Sequence, residues 1–402
     1  MSQGAPHSRP VRPQIPAAIW VLGFVSLLMD VSSEMVHSLL PLFMAGTLGA
    51  SATLIGLVEG LGESTALVVK VFSGALSDWL GKRKLLAVIG YGFGALSKPL
   101  FAIAPGLGWV LCARLTDRIG KGIRGAPRDA LVADLAPAAI RGAAFGLRQS
   151  LDTVGAFLGP LIAAGLMVLW VNDFRAIFWV AVIPGVFAVL LLLIGIQEPK
   201  RSQDTPRRNP LSRAALSQLD RRYMAVVLIG GLFTLARFSE AFLVLRAQQG
   251  GVALALVPLV MVAMNGVYAL TAWPFGKLSD SVSHRGLLAA GLVVLIAADL
   301  VLSRNTQLST VLIGVALWGI HMGMTQGLLA TLVADTAPAA LRGTAFGLFN
   351  LVCGIAMLLA SVLAGLIWDR VGASATFLTG AGFALLTLLC LTLAPLNSAR
   401  HT

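Results

Sequence analysis

The stretch LVADLAPAAIRGAAFGL from Leu131 to Leu147 returns as LVADTAPAALRGTAFGL from Leu332 to Leu348. Fourteen of the seventeen positions are identical at a separation of 201 residues. Unrelated apolar helices do not share that much, so the whole chain reads as one unit written twice. A second pair keeps the phase: GALSDWLGKRK from Gly74 precedes GKLSDSVSHRG at Gly276 by 202 residues, with Leu-Ser-Asp retained and Arg83 matched to Arg285. Whatever one half forms, the other must form too.

Of the 402 residues, 57% are hydrophobic and 12% charged. One soluble globule cannot enclose that much apolar surface, which predicts an all-α polytopic membrane protein. Residues 1–15 hold prolines and two arginines without a short apolar core, so no cleavable signal is expected. Cys112, Cys353 and Cys390 all lie in apolar runs, with no disulfide or zinc spacing. No metal and no cofactor is expected. The net charge of +12 sits in short loops between apolar runs, which points to a membrane surface and not to nucleic acid.

Apolar runs long enough to span a bilayer fall near 17–47, 51–77, 84–104, 106–130, 142–169 and 174–197, and again near 222–248, 251–279, 286–304, 308–334, 343–368 and 373–396. The prediction is twelve transmembrane helices in two pseudo-symmetric six-helix bundles. The bundles are 17–197 and 222–397, flanked by a tail at 1–16, a polar linker at 198–221 and a tail at 398–402. Arg9, Arg12, Lys82, Arg83, Lys84, Arg141, Lys200, Arg201, Arg207, Arg208, Arg213, Arg221, Arg222, Arg285 and Arg342 fall on one side. The opposite loops offer little beyond Arg175, Arg246, Arg304 and Arg370. By the positive-inside rule both termini and the linker are expected to be cytoplasmic, in a bacterial inner membrane.

GALSDWLGKRK resembles the loop 2–3 signature of the major facilitator superfamily, here Gly74, Asp78, Gly81, Arg83 and Lys84. The resemblance implies a cytoplasmic gate in which Gly74 lets helices approach and Asp78 pairs with Arg83 or a neighbouring helix N-terminus. The second copy keeps Asp280 and Arg285 but has Val282-Ser283 in place of the Gly-Lys part, implying a weaker latch. In span five, Gly146, Gly155, Gly159, Pro160 and Gly165 are similar to the glycine-proline motif of the superfamily's proton-coupled antiporters, read as helix packing, with Ala163-Ala164 where a Gly pair is usual. Arg118, Lys121 and Gly122 are similar to its Arg-x-x-Gln-Gly element, with Lys in place of Gln.

An ionisable group at mid-span costs about 2.5–3.5 kcal/mol on insertion scales, so it faces a cavity or a partner. Span one has Asp30, Glu34 and His37 at helical spacing; span two has Glu59, Glu63 and Lys70 on one face. Span four has Arg114, Asp117 and Arg118, and span five has Arg148 and Asp152 one turn apart, read as a structural pair. Lys121, Arg124 and Arg128 read as interface snorkelers. The second half holds fewer: Arg237 and Glu240, Asn265 and Tyr268, His321 and Gln326, with Ser239-Glu240 echoing Ser33-Glu34. This predicts a charge relay in the first half and a pocket shaped by the second, with Met261, Met264, Met322 and Met324 available to repack. Glu34, Glu63 and Asp117 are alternative proton carriers, with Arg118 as counter-charge.

The expected function is secondary transport by alternating access, with the solute held between the bundles. Proton-coupled efflux of a small organic or amphipathic solute by a monomer is the favoured reading. Proton-coupled uptake, or movement of an anionic or metal-chelate solute drawn by Arg114, Arg118 and Lys70, is the alternative, and a non-transporting sensor a distant one. No GxxxxGK[ST] stretch and no Ser-His constellation occurs, so neither ATP hydrolysis nor enzymatic catalysis is expected.

Overall fold

The computed structural model describes residues 15–137, 140–198, 219–279, 281–304, 307–338 and 341–393. The C-terminal tail, nearly all of the N-terminal tail, most of the linker and Asp280 lie outside these residues, and Asp78 is described by its backbone alone. The first half consists of α1 (Ala17–His37), α2 (Ala52–Leu80), α3 (Arg83–Ala102), α4 (Leu107–Leu135), α5 (Arg141–Leu169) and α6 (Phe174–Gly195). The second consists of α7 (Arg221–Ala236), α8 (Ala241–Gln249), α9 (Leu259–Ser279), α10 (His284–Arg304), α11 (Leu308–Thr325), α12 (Leu328–Thr336), α13 (Arg342–Arg370) and α14 (Ala373–Leu393). No strand occurs among the described residues.

Two pairs, α7–α8 and α11–α12, are single spans interrupted part-way, which gives twelve crossings among the described residues. Eleven are long and apolar enough to cross a membrane. The twelfth, α4, has 29 residues but carries Arg114, Asp117, Arg118, Lys121, Arg124, Arg128 and Asp129. Such a helix cannot face hydrocarbon, and it packs between α2 and α3. Large apolar side chains point outward from α6 (Trp179, Ile183, Phe187, Leu190) and α14 (Leu378, Leu385, Leu389), as lipid contact requires.

The duplicated stretch is a helix corner. Its arginine folds back onto the carbonyls that end the previous helix: Arg141 Nε donates to Ala133 O at 3.2 Å, and Arg342 Nε to Ala334 O at 3.3 Å. Those carbonyls have no partner within their own helix, and a cation there is attracted by the negative end of the helix dipole. The preceding loops repeat as well. Arg83 pairs with Asp134, and His284 lies 4.0 Å from Asp335. Lys84 Nζ reaches Leu193 O at 2.8 Å, and Arg285 Nη2 reaches Thr392 O at 2.6 Å. Contacts therefore make Lys84 the counterpart of Arg285, one residue away from the match that sequence alignment suggests.

Ser51 caps α2 by accepting from Leu54 N at 3.3 Å, and Gly81 ends it at φ 64°. Span one leaves regular geometry at Ser38–Leu39 and finishes as a π-turn over Phe43–Thr47. Span seven breaks from Arg237 to Glu240, which lies 202 residues after Ser38. Ser239-Glu240 thus occupies a helix break and is not the helical counterpart of Ser33-Glu34. Span ten breaks at Gln326–Gly327, where Gly327 takes φ 75°. The halves meet along two seams, α2 against α13 and α5 against α9.

Candidate functional site

Glycines bring α5 onto the acidic face of α1. A Cβ on Gly159 would stand 2.7 Å from Glu34 Cβ and 2.9 Å from Val31 O; one on Gly155 would stand 2.7 Å from Leu27 O and 3.0 Å from Asp30 Cβ. Nothing larger than glycine fits at this separation. Gly146 and Gly165 face open space, so the predicted packing role rests on Gly155, Gly159 and the buried Pro160, and Gly146 takes no part in it.

From Glu34 a continuous chain of charges crosses α1, α2, α4 and α3. His37 bridges two acids, its Nδ1 3.5 Å from Glu34 Oε2 and its Nε2 3.4 Å from Glu59 Oε2. Arg114 pairs with Glu59 and lies 3.4 Å from Glu63. Arg118 Nη1 donates to Glu63 Oε1 at 2.8 Å, while its Nε lies 3.1 Å from Asp117 Oδ2. Asp117 Oδ1 accepts from Lys98 Nζ at 2.6 Å, and Lys98 Nζ also donates to Ser33 Oγ at 3.1 Å. Glu59, Lys98, Arg114, Asp117 and Arg118 are all at most 3% exposed. Each buried charge is thus set against an opposite one, the condition under which low dielectric is tolerable. Gly62 makes room for this, since a Cβ there would press on Arg114 and Arg118 at 3.0–3.2 Å.

Lys98 escaped the sequence reading; the available signal was one cation alone in an otherwise apolar span. Lys70 does the opposite. It is exposed and, among the described residues, is paired with none of the carboxylates of this chain.

A second network lies toward the linker end. Arg148 pairs with Asp152 and also lies 3.7 Å from Asp129. Arg128 approaches the same Asp152 at 3.7 Å and Asp129 at 3.2 Å. Arg124 is 5% exposed, 4.0 Å from Asp30, with its guanidinium 4.9 Å over the Tyr91 ring. Arg124 and Arg128 are therefore inward-facing partners and not snorkelers. The helix that carries them runs on to Leu135, so both lie deeper than a span ending near residue 130 would put them. Lys121 alone is exposed.

The second half lacks such a chain. At an offset of 201, Glu59, Glu63, Arg114 and Arg118 become Val260, Met264, Val315 and Gly319. Arg237 stacks 5.7 Å over Phe233 beside the break, and Glu240 lies within electrostatic range of His37, Glu34 and Glu63 across the interface. Asn265 Nδ2 donates to Ala156 O of the first half at 3.2 Å, and Tyr268 is half-buried one turn further along α9. His321 is fully buried, bonded to Gly291 O at 2.8 Å and set against the Phe233 ring at 5.5 Å between centroids. It belongs to the helix packing, and Gln326 is exposed at the span-ten break. Met261 and Met264 are enclosed where α9 meets α11, so they fill the bundle core in place of a pocket wall. A buried carboxylate, Asp299 of α10, was also missed.

The two ends of the molecule differ. At the α1–α2 turn, Asp369 of α13 crosses to the other half and accepts from Ala52 N at 3.0 Å, Thr53 N at 2.8 Å and Thr53 Oγ1 at 2.6 Å. Below it, Gly365 sits on Ala52, Gly56 and Gly60 on Ser361 and Leu358, and Gly354 on Ser64. Among the described residues, cross-half hydrogen bonds are confined to this end and to Asn265 at mid-span. At the linker end, Phe72, Leu76, Trp79 and Leu80 of α2 are exposed, and Gly74 packs within its own half, on Ala126. Arg83, Lys84 and Arg285 bond within their halves; whether Asp78 and Asp280 join them lies outside the described side chains.

His37, Glu59 and Glu63 offer three ligand atoms within 4.8 Å of one another, a spacing a cation could use. Arg114 and Arg118 already neutralise those carboxylates, so a divalent ion would have to displace a guanidinium group, and the donors do not fit a resident metal.

The sequence pattern described as Major Facilitator Superfamily matches residues 22–361. An uncharacterized MFS-type transporter of Methanocaldococcus jannaschii is 32% identical over 381 residues, 93% of this chain and 94% of that one. The quinolone resistance protein NorA of Staphylococcus aureus is 26% identical over 184 residues, 46% of each chain. A bacterial homolog of the human lysosomal transporter Spinster, solved inward-facing and unoccupied, superposes with a TM-score of 0.73 at 15% identity, covering 94% of this chain and 95% of that one.

Proposed function

The chain belongs to the major facilitator superfamily and is a multi-pass membrane transporter, and from its buried charge chain we propose that it couples solute export to proton entry. One observation carries this reading. Four carboxylates (Glu34, Glu59, Glu63, Asp117) face three basic side chains (Lys98, Arg114, Arg118) in one connected network. A single proton, on His37 or on Glu34, balances it. Loss of that proton leaves one unpaired negative charge beside the interface between the halves, and the free energy of pairing it anew biases one conformation over the other. Glu34 is the carrier best placed for this, because it is half-buried and bonded to His37 alone, whereas Glu59, Glu63 and Asp117 are each held by an arginine or lysine.

In this reading the basic loops and both tails are cytoplasmic in a bacterial inner membrane, the bundles are 17–197 and 222–397, and the linker joins them on that side. The Asp369 seam is then the outer gate, closed here, and the cytoplasmic side is the open one. The solute enters between α1, α2, α4 and the more apolar α7–α8, α9 and α11. A small amphipathic organic molecule suits one charged wall facing one apolar wall. The motif Gly155-x-x-x-Gly159-Pro160 and the half-length likeness to NorA support export over uptake. A monomer suffices for the mechanism.

Cells making the protein should accumulate less of a lipophilic fluorescent cation than cells making Glu34→Gln, and collapsing the proton gradient should abolish the difference. Greater accumulation with the wild type would turn the direction to uptake; equal accumulation for a panel of cations and anions would remove the export reading.

A further inference from the structure

Lys98 and Asp117 form a buried ion pair of the first half, and the repeat places Asp299 and Trp318 at the same two positions of the second, each 201 residues on. The positions of an ion pair are thus taken by a carboxyl and an indole. Both residues are fully buried, and among the described residues neither oxygen of Asp299 nor the Nε1 of Trp318 has a hydrogen-bond partner. We propose that Asp299 is a proton-binding site of the second half, covered and uncovered by the break in span seven.

The surroundings of Asp299 say what it binds. Over Gly380 of α14 three groups converge on one point: a Cβ there would lie 2.8 Å from Asp299 Oδ2, 2.8 Å from Phe238 Cε1 and 3.5 Å from Ala236 O. Ala236 ends α7, and with residues 237–240 non-helical its carbonyl receives no backbone hydrogen bond. A neutral carboxyl needs one acceptor for its O–H, and the broken helix leaves an unused one near the same point over Gly380. An ionised carboxylate would need a cation or several donors. Among the described residues, the elements around α10 supply no such cation. From α11, His321 is turned to Gly291, about two turns away along α10. From α8, Arg246 donates to Leu302 O and Gln249. At the break, Arg237 lies over Phe233 and Glu240 faces the other half. At the far end of α10, Asp335 of α12 meets His284. Helix α14 carries no charged residue.

Phe238 is the cover. It is 4% exposed and packs on Trp318, Phe242 and Phe377, with ring centroids 5.5–5.6 Å away. Its chain neighbour Arg237 and, two residues on, Glu240 are partly exposed. A rotation of this short non-helical segment, whose Ser239 N donates to Ser361 Oγ of α13 at 3.3 Å, would withdraw the ring and open Asp299 toward the space between the halves.

Carbodiimide modification of the purified protein tests this without any transported solute, so its failure leaves the export reading standing. N,N′-dicyclohexylcarbodiimide adds only to a protonated carboxyl, whose proton passes to the reagent's nitrogen, and peptide mass mapping identifies the residue. Asp299 should be modified at acid pH, the modification should be lost as pH rises, and Phe238→Ala should accelerate it several-fold while Asp299→Asn removes it. Sodium should give no protection. Absence of modification at every pH even in Phe238→Ala, a yield independent of pH, or protection by sodium would each overturn the proposal. Asp299→Asn should melt as the wild type does, which separates loss of the site from loss of the fold.

Discussion

Replacing Asp369 by Ala should unlock the closed end. Its carboxylate accepts three hydrogen bonds from the first turn of α2, at 2.6–3.0 Å, so one half of the molecule caps a helix of the other. A charged hydrogen bond contributes about 1.5–3 kcal/mol when buried. Asp369 is exposed, and solvent screening reduces each bond to about 0.5 kcal/mol. Together they favour the closed end by about 1.5 kcal/mol, close to a tenfold change in the ratio of closed to open molecules. Thr53→Val removes one bond of the three and should shift that ratio about twofold. Spin labels at Leu54→Cys and Val371→Cys, which are 41% and 74% exposed, report the distance across this end in a variant whose three native cysteines are replaced. Asp369→Ala should move a population to the longer distance, and Thr53→Val a smaller one. If both distributions match the parent's, the capping bonds do not hold the end shut.

The buried chain makes a second prediction. Glu59→Leu leaves Arg114 enclosed with a long contact to Glu63 only, and should lower stability by about 3–5 kcal/mol, read as a fall in melting temperature. Replacing Arg114 by Met as well should recover most of it. Gly159→Leu should drive α5 from α1 at Glu34 and abolish stable folding in detergent, whereas Gly146→Ala, facing open space, should melt unchanged. Val171 takes φ 49° where its repeat counterpart, Gly372, takes φ 117°. A β-branched residue there is strained, so Val171→Gly should raise stability by about 1 kcal/mol.

The sequence carried the architecture because two of its signals are independent of side-chain orientation: apolar run length and a repeat at 201 residues. It also carried most of the charged site, since Glu34, His37, Glu59, Glu63, Arg114, Asp117 and Arg118 stand out against apolar neighbours. Partner choice was not legible. Whether Arg124 faces Asp30 or the headgroups depends on how far α4 continues and how it is rotated, and an apolar window fixes neither. Lys98 and Asp299 were overlooked for a related reason: each stands alone in its span, and the groups that give each its meaning come from other helices. The breaks in spans seven and ten were hidden because no proline marks them. At Gly327 a single glycine hinted at one, while Arg237 to Glu240 reads as helix until the carbonyl of Ala236 is seen to go unused.

The charge chain is proposed to exchange a proton as solute moves. Purified protein in liposomes holding a pH-sensitive dye tests it most directly, with organic cations, anions and neutral amphiphiles screened for solute-dependent proton movement. Proton flux should run opposite to one of these solutes and be lost in Glu34→Gln while solute exchange continues. Solute transport with no accompanying proton movement, by protein whose melting shows it folded, would contradict it and make the buried acids structural.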